Sequence, residues 1–211
     1  EDIGRGDWST QGLDLQHRGH ARCVAKENGV MVGLPIAARI FQLLDPSMEF
    51  QVLAGEGQTV TAGTVVATMA GDLGSLLTGE RVALNLVMGL SGIATMTQQY
   101  VQAIADYPTR FVDTRKTTPG LRVLEKYASR LGGAMNHRLG LDDAVMVKDN
   151  HIQAAGSITK AVQTLRRNLP YPLAIEVETS NLEEVEEAIA AQVEIIMLDN
   201  MDTEIMATAV K

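Results

Sequence analysis

The run AIEVETSNLEEVEEAIAAQVEIIMLD, residues 174–199, decides the fold class. A short β-branched segment over 174–177 leads into an amphipathic stretch over 182–191, and a second apolar segment follows over 194–198. Ser180-Asn181-Leu182-Glu183 fits a capping box, which fixes the start of the helix. Strand, helix and strand in this order imply two parallel strands joined by a right-handed crossover. Upstream the pattern repeats, with a strand ending near Asp113, a helix over 119–131, a strand over 144–147 and a helix over 157–168. Downstream a last helix starts at Asp202. Strands alternating with helices in this way give a parallel α/β sheet. Four of them cannot close a barrel of about eight strands. The sheet is either open or completed by strands beyond Lys211, and an ending inside a helical pattern favours the second. The start at Glu1 rather than Met points the same way, to a fragment or trimmed chain.

Further upstream the organisation changes. Residues 76–107 are helical, with Val82, Leu86 and Leu90 on one face and Ile93, Met96, Tyr100 and Ile104 on another. Gly89-Leu90-Ser91-Gly92 is expected to break this stretch into a helix pair. Residues 1–75 carry short strand-like runs, Gly29-Val30-Met31-Val32-Gly33, Glu49-Phe50-Gln51-Val52-Leu53 and Gly63-Thr64-Val65-Val66-Ala67, with one helix near 36–44. The expected organisation is an N-terminal α+β domain over 1–91 and an α/β domain over 92–211.

Composition narrows the function. The 211 residues carry 18 Lys+Arg against 26 Asp+Glu, a formal charge of -8, so nucleic acid is not a bulk partner. A hydrophobic fraction of 45% at a mean hydropathy of +0.03 belongs to a folded globular chain rather than a disordered one. No apolar run approaches the roughly 18 residues that cross a bilayer, and the N-terminus lacks a signal-peptide pattern, which leads us to expect a cytoplasmic enzyme without a membrane partner. The single cysteine, Cys23, excludes an internal disulfide.

Charge is nevertheless concentrated. Between Arg110 and Lys148 stand eight basic and four acidic residues, leaving -12 on the rest of the chain. A cationic cluster on an acidic protein suits a small polyanion. Arg122, Lys126 and Arg130, spaced by four, share one helix face that is open to two readings, solvated surface or site wall. The expected strand ends carry Asp113, Arg115 and Lys116, then Lys148, then Glu178, then Asp199. In parallel α/β folds the C-terminal strand ends form the site face. Several cations with two carboxylates describe a phosphorylated or polycarboxylated substrate, the acids being left for sugar hydroxyls or a metal. Glu178 and Asp199 alone make a sparse Mg²⁺ site, one that needs water and substrate phosphates to complete it.

The strings Asp113-Thr114-Arg115-Lys116-Thr117-Thr118-Pro119-Gly120-Leu121-Arg122, Glu125-Lys126-Tyr127-Ala128, Gly132-Gly133-Ala134-Met135-Asn136-His137-Arg138 and Val147-Lys148-Asp149-Asn150-His151 resemble the quinolinate phosphoribosyltransferases. Glu1-Asp2-Ile3-Gly4-Arg5-Gly6-Asp7, Gly79-Glu80-Arg81-Val82-Ala83-Leu84-Asn85, Glu176-Val177-Glu178 and Leu198-Asp199-Asn200 look like the same family in the same order. The resemblance implies an open-sandwich N-terminal domain followed by a partial (β/α) barrel of the type II phosphoribosyltransferase kind, truncated at its C-terminus. It implies transfer of phosphoribosyl from phosphoribosyl pyrophosphate to quinolinate, giving nicotinate mononucleotide, CO₂ and pyrophosphate in NAD biosynthesis. By the same resemblance Arg115, His137, Arg138 and Lys148 would hold the quinolinate carboxylates, Thr114 would be a substrate-binding residue, and Lys116 would reach quinolinate or the pyrophosphate. Glu178 and Asp199 would hold ribose hydroxyls directly or through Mg²⁺, and with Lys116 they form the expected catalytic set. Arg81 would complete the neighbouring subunit's site in a homodimer. Ala134 stands where the family usually has a third glycine.

Three rivals remain at this stage. A related type II phosphoribosyltransferase could take another substrate, although a monocarboxylate would not require the full cation set. An aldolase-type barrel could use Lys148 as a Schiff base, which needs a desolvated lysine. A truncated chain could bind without turnover.

Overall fold

The first third of the sequence is a series of short runs broken by glycine and polar residues, and it folds as a small antiparallel sheet backed by helices. The computed structural model describes residues 1–13, 15 and 17–211. They divide into two compact units, Glu1–His137 and Arg138–Lys211. The first unit runs α1 (Trp8–Gly12), β1 (Arg18–Val24), β2 (Gly29–Val30), α2 (Leu34–Leu44), β3 (Glu49–Val52), β4 (Thr59–Val60), β5 (Val65–Asp72), α3 (Leu73–Ala103) and α4 (Arg122–Leu131). β5 is the centre of a sheet ordered β1-β5-β3, antiparallel on both sides, and β2 pairs with β4 as a separate ribbon. Ala67 and Met69 of β5, two apart on one face, and Val66 beside the register shift opposite Cys23/Val24 meet Leu34, Ala37 and Phe41 of α2 and Leu76, Ala83 and Val87 of α3 in one apolar core.

Two helix features follow from single residues. A Cβ at Gly79 would lie 2.8 Å from the Phe41 ring, so glycine is what lets α2 and α3 pack at this crossing. The N-terminal amides of α2 are bound from outside the helix: Glu56 accepts from Gly33 N and Leu34 N at 3.0–3.1 Å and from the Tyr127 hydroxyl at 3.1 Å.

The expected break at Gly89–Gly92 does not occur. α3 is continuous over 31 residues, and it passes through the expected domain boundary at residue 91. A Cβ at Gly89 or Gly92 would meet nothing within 4 Å, so these glycines serve no close approach and cost only helix propensity. Tertiary contacts offset that cost. Leu90 and Ala94 are buried with Val30, Val32 and Ala128. The Ser91 hydroxyl accepts from Val32 N and donates to its carbonyl, and the Thr95 hydroxyl accepts from Val30 N.

The second unit runs β6 (Val145–Val147), α5 (Asp149–Ala155), α6 (Ile158–Asn168), β7 (Ile175–Thr179), α7 (Leu182–Ala190), β8 (Ile195–Leu198) and α8 (Thr203–Ala209). Its strands form a parallel sheet in sequence order, with Val147 opposite Val177 and Glu178 opposite Met197. Val147, Ile175 and Val177 pack against Ile158, Ala161 and Val162 of α6 and Ala188 of α7. The side-chain period of two therefore places Met146, Lys148, Glu176, Glu178 and Met197 on the opposite face.

The cap sits one residue later than the sequence pattern gave, and it is a side-chain cap whose returning carboxylate reaches the residue before the N-cap. Asn181 is the N-cap and accepts from Glu184 N, while the Glu184 carboxylate accepts from Ser180 N. The expected strand before Asp113 is reduced to one parallel bridge, Val112 with Met135, inside the first unit. The residues after it bond locally instead, Lys116 N to the Thr114 hydroxyl and Thr117 N to the Arg115 carbonyl, which removes them from any ladder.

Candidate active site

Asp113 is a hub of the first unit. Its carboxylate accepts from Lys126 Nζ at 2.5 Å, Asn136 Nδ2 at 2.7 Å, His137 N at 2.8 Å and Ser129 Oγ at 2.9 Å. Lys126 also donates to the His137 carbonyl at 2.9 Å. The Lys126 and Asp113 side chains are only 5% and 11% exposed. Burial pushes the Asp113 carboxyl up, but the hydrogen bonds from Lys126, His137 N, Asn136 and Ser129 together outweigh it and hold the group below its ordinary range. Sequence reasoning placed Asp113 at a strand end and left the Arg122, Lys126 and Arg130 face open. The structure splits that face: Lys126 is buried and Arg130 is exposed.

Around this hub lie the sequence-derived binding residues of the first unit. Thr114 and Lys116 are exposed, Arg115 and His137 are half-buried, and the Arg115 Nε is a buried donor without an acceptor in the described residues. A Cβ at Gly132 would approach the Ala94 carbonyl to 2.5 Å, so glycine is required where the chain leaves α4 against α3 on its way to His137. Arg81 projects from α3, its side chain 61% exposed and 4.0 Å from Glu80.

The second unit, by itself, carries the remaining residues expected from the sequence. Lys148 follows β6 and Glu178 lies near the end of β7, each one residue past the paired Val147 and Val177, and Lys148 Nζ donates to Glu178 Oε2 at 2.5 Å. Asp199 follows β8, its amide bonding the Thr179 carbonyl at 2.9 Å and its carboxylate accepting from Asn200 Nδ2 at 2.9 Å. Arg138 donates through Nη1 to the Ala144 carbonyl at 2.9 Å, while its Nε, too, is buried without an acceptor in the described residues. Three consecutive parallel strands thus present Lys148, Glu178 and Asp199 at their C-terminal ends, where a parallel α/β sheet holds its ligand. Lys148, 43% exposed and paired with a carboxylate, does not have the desolvated setting of a Schiff-base lysine.

A dication fits this set only loosely. Among the described residues no group of three or more His, Cys, Asp and Glu comes together as a cage. Glu178 already holds an ammonium, which leaves most of the coordination of any Mg²⁺ to water and phosphate oxygens.

The chain matches two family models, the N-terminal domain of quinolinate phosphoribosyl transferase over residues 7–91 and its C-terminal domain over residues 93–211. It is 92% identical over its whole length to a probable nicotinate-nucleotide pyrophosphorylase [carboxylating] from Synechocystis sp., of which it spans 72%. It is 46% identical over 200 residues to the protein of the same description from Bacillus subtilis, covering 95% of this chain and 69% of that one. Among solved structures, NadC from Streptococcus pyogenes superposes with a TM-score of 0.92 at 46% identity, covering 99% of this chain and 74% of that one. The nicotinate-nucleotide pyrophosphorylase of Ehrlichia chaffeensis gives 0.95 at 35% identity, covering 99% and 76%. With both domain models matched in order, and relatives this similar, the chain belongs to the quinolinate phosphoribosyl transferase family.

Proposed function

We infer that this chain catalyses the decarboxylating transfer of phosphoribosyl from phosphoribosyl pyrophosphate to quinolinate, yielding nicotinate mononucleotide, CO₂ and pyrophosphate. The observation that carries the reading is the pair of arginines, Arg115 and Arg138, each with a buried Nε that no described acceptor uses. A buried guanidinium donor is costly unless a ligand completes it, and within its own unit each of these forks suits a carboxylate, the group that quinolinate carries twice. His137 and the exposed part of the Lys148 ammonium add to this set. Lys148 spends one hydrogen on Glu178 and has others to give an incoming carboxylate.

The chemistry is electrostatic. The quinolinate ring nitrogen attacks the ribose anomeric carbon as its bond to the pyrophosphate oxygen breaks, and positive charge develops on the ribose. Glu178 and Asp199, held at neighbouring strand ends, offset that charge and accept from ribose hydroxyls. Lys116, exposed beside Arg115, reaches quinolinate or the departing pyrophosphate. The ring nitrogen, now cationic, stabilises the electron pair that the breaking carbon–carboxylate bond leaves on the adjacent ring carbon. CO₂ leaves and the ring carbon gains a proton. Glu178 and Asp199 would face a Mg²⁺ ion held chiefly by the pyrophosphate, which neutralises phosphate charge when bound.

The reading includes a homodimer and a cytoplasmic location. Leu77, Met88, Met96 and Tyr100 are exposed along α3, the helix that carries Arg81, which suits a face covered by a second copy. No helix among the described residues is long and apolar enough to cross a membrane. The deciding assay follows pyrophosphate and nicotinate mononucleotide with quinolinate or nicotinate as the acceptor, with sedimentation of the same sample. Turnover with quinolinate alone by a dimer is expected; equal use of nicotinate would sink the dicarboxylate reading.

A further inference from the structure

We propose that Asp113 and Lys126 form a positioning strut that fixes the peptide of His137, and through it the dicarboxylate-reading residues on either side. The proposal rests on the quinolinate reading for its kinetic consequence, but its geometry stands by itself. Both backbone groups of His137 are gripped by one ion pair: its N–H donates to Asp113 Oδ1 at 2.8 Å, and its carbonyl accepts from Lys126 Nζ at 2.9 Å. Asp113 immediately precedes Thr114-Arg115-Lys116, and His137 immediately precedes Arg138. One carboxylate therefore sets the distance between two binding segments that are 24 positions apart in sequence.

The cost of the arrangement argues for such a role. Burying a lysine and an aspartate seldom stabilises a fold more than apolar residues of the same volume would, and such pairs are best understood where they specify one arrangement. Here the oxygens of Asp113 take four donors, and Asn136, the residue before His137, supplies one of them. The parallel bridge adds to the same register, with Asp113 N donating to the Met135 carbonyl and Met135 N to the Phe111 carbonyl. Neither Asp113 nor Lys126 needs to touch substrate. Their effect falls on how Arg115, His137 and Arg138 are aimed, and misplacement by about 1 Å is enough to cost on the order of 10²-fold in rate.

The test uses the whole chain with the double exchange Asp113→Asn/Lys126→Met, which removes both charges together so that neither is left stranded. A cooperative thermal melt establishes folding. The expected result is a KM for quinolinate raised about tenfold or more, a KM for phosphoribosyl pyrophosphate within about twofold of the parent, and faster amide exchange at residues 136–138. Ser129→Ala is the comparison, since its hydroxyl meets Asp113 at 2.9 Å whereas the His137 N–H and carbonyl are held by Asp113 and Lys126; it should lower the melting temperature without that KM split. If the double variant does not melt cooperatively, Lys126→Arg keeps the charge but exchanges the compact ammonium for a planar fork, and is read in the same way. A parent-like quinolinate KM with unchanged exchange overturns the proposal, as does a parallel loss across both substrates. Should the parent itself neither bind nor convert quinolinate, the functional reading fails, and the exchange measurement still decides whether the strut exists.

Discussion

Two lysine–carboxylate pairs with the same 2.5 Å separation behave as different devices. In the first unit Lys126 and Asp113 are 5% and 11% exposed, and partners surround both charges. In the second unit Lys148 is 43% exposed and Glu178 16%, so the pair is closed on one side and open on the other. Contact distance says nothing about the role. What separates them is whether water and substrate can reach the charge: a saturated pair holds backbone in place, and an open pair can take a ligand without being dismantled.

The largest effect should come from neutralising one member of the closed pair. Asp113→Asn leaves Lys126 buried with its charge uncompensated, and urea denaturation should show a loss of about 3–5 kcal/mol. Glu178→Gln, the same chemical change in the open pair, should cost about 1 kcal/mol or less, because Lys148 can turn to water. Equal losses would erase the distinction.

Function should rank the pairs the other way. On the proposed function, Lys148→Ala removes a charge-assisted contact to substrate worth about 2–3 kcal/mol, so kcat/KM for quinolinate should fall on the order of 10²-fold. The melting temperature should stay within about 2 °C of the parent. A folded variant with near-parent kinetics would remove Lys148 from the site.

The smallest effect is a pH difference. The Asp113 carboxyl is held below its unfolded value, net of the burial that opposes this. Its contribution is therefore complete above the unfolded pKa of about 4 and is lost as pH falls through the lowered folded value. Acid titration of stability should fall more steeply for the parent than for Asp113→Asn/Lys126→Met, with carboxylates elsewhere cancelling between the two. Superimposable curves below about pH 4 would mean that the hub gives the carboxylate no net preference for its charged form.

The legible part of the molecule is the part where local pattern and tertiary structure agree. Strand alternation with helices over 144–211 needs only periodicity, and Lys148, Glu178 and Asp199 fall at strand ends because the pattern ends there. Lys126 was ambiguous for a physical reason: a lysine spaced four from two arginines looks the same in sequence whether its amine meets water or a carboxylate 13 positions away. Its partner gives the only local clue, a lone aspartate opening a basic segment. Helix α5 was hidden inside a recognised string. Its signals were Asp149 in the first turn and Gly156, at φ +91°, as the terminating residue, and its first turn is closed by the His151 ring accepting from Lys148 N. The unbroken α3 was beyond local reading altogether, since Gly89 and Gly92 predict a break that distant valines prevent.

Those same contacts bear on association. The ribbon strand β2 is two residues long, with β4 on one side. On the other side, where a third strand would add, the amides of Val30 and Val32 are taken by the hydroxyls of Thr95 and Ser91. A helix thus closes this edge of β2 with side-chain oxygens, and that side of the ribbon offers no open ladder to another molecule. Exchanging both hydroxyls for apolar groups would leave the core volume nearly unchanged but strand the Val30 and Val32 amides under α3 without acceptors, at roughly 1–3 kcal/mol each.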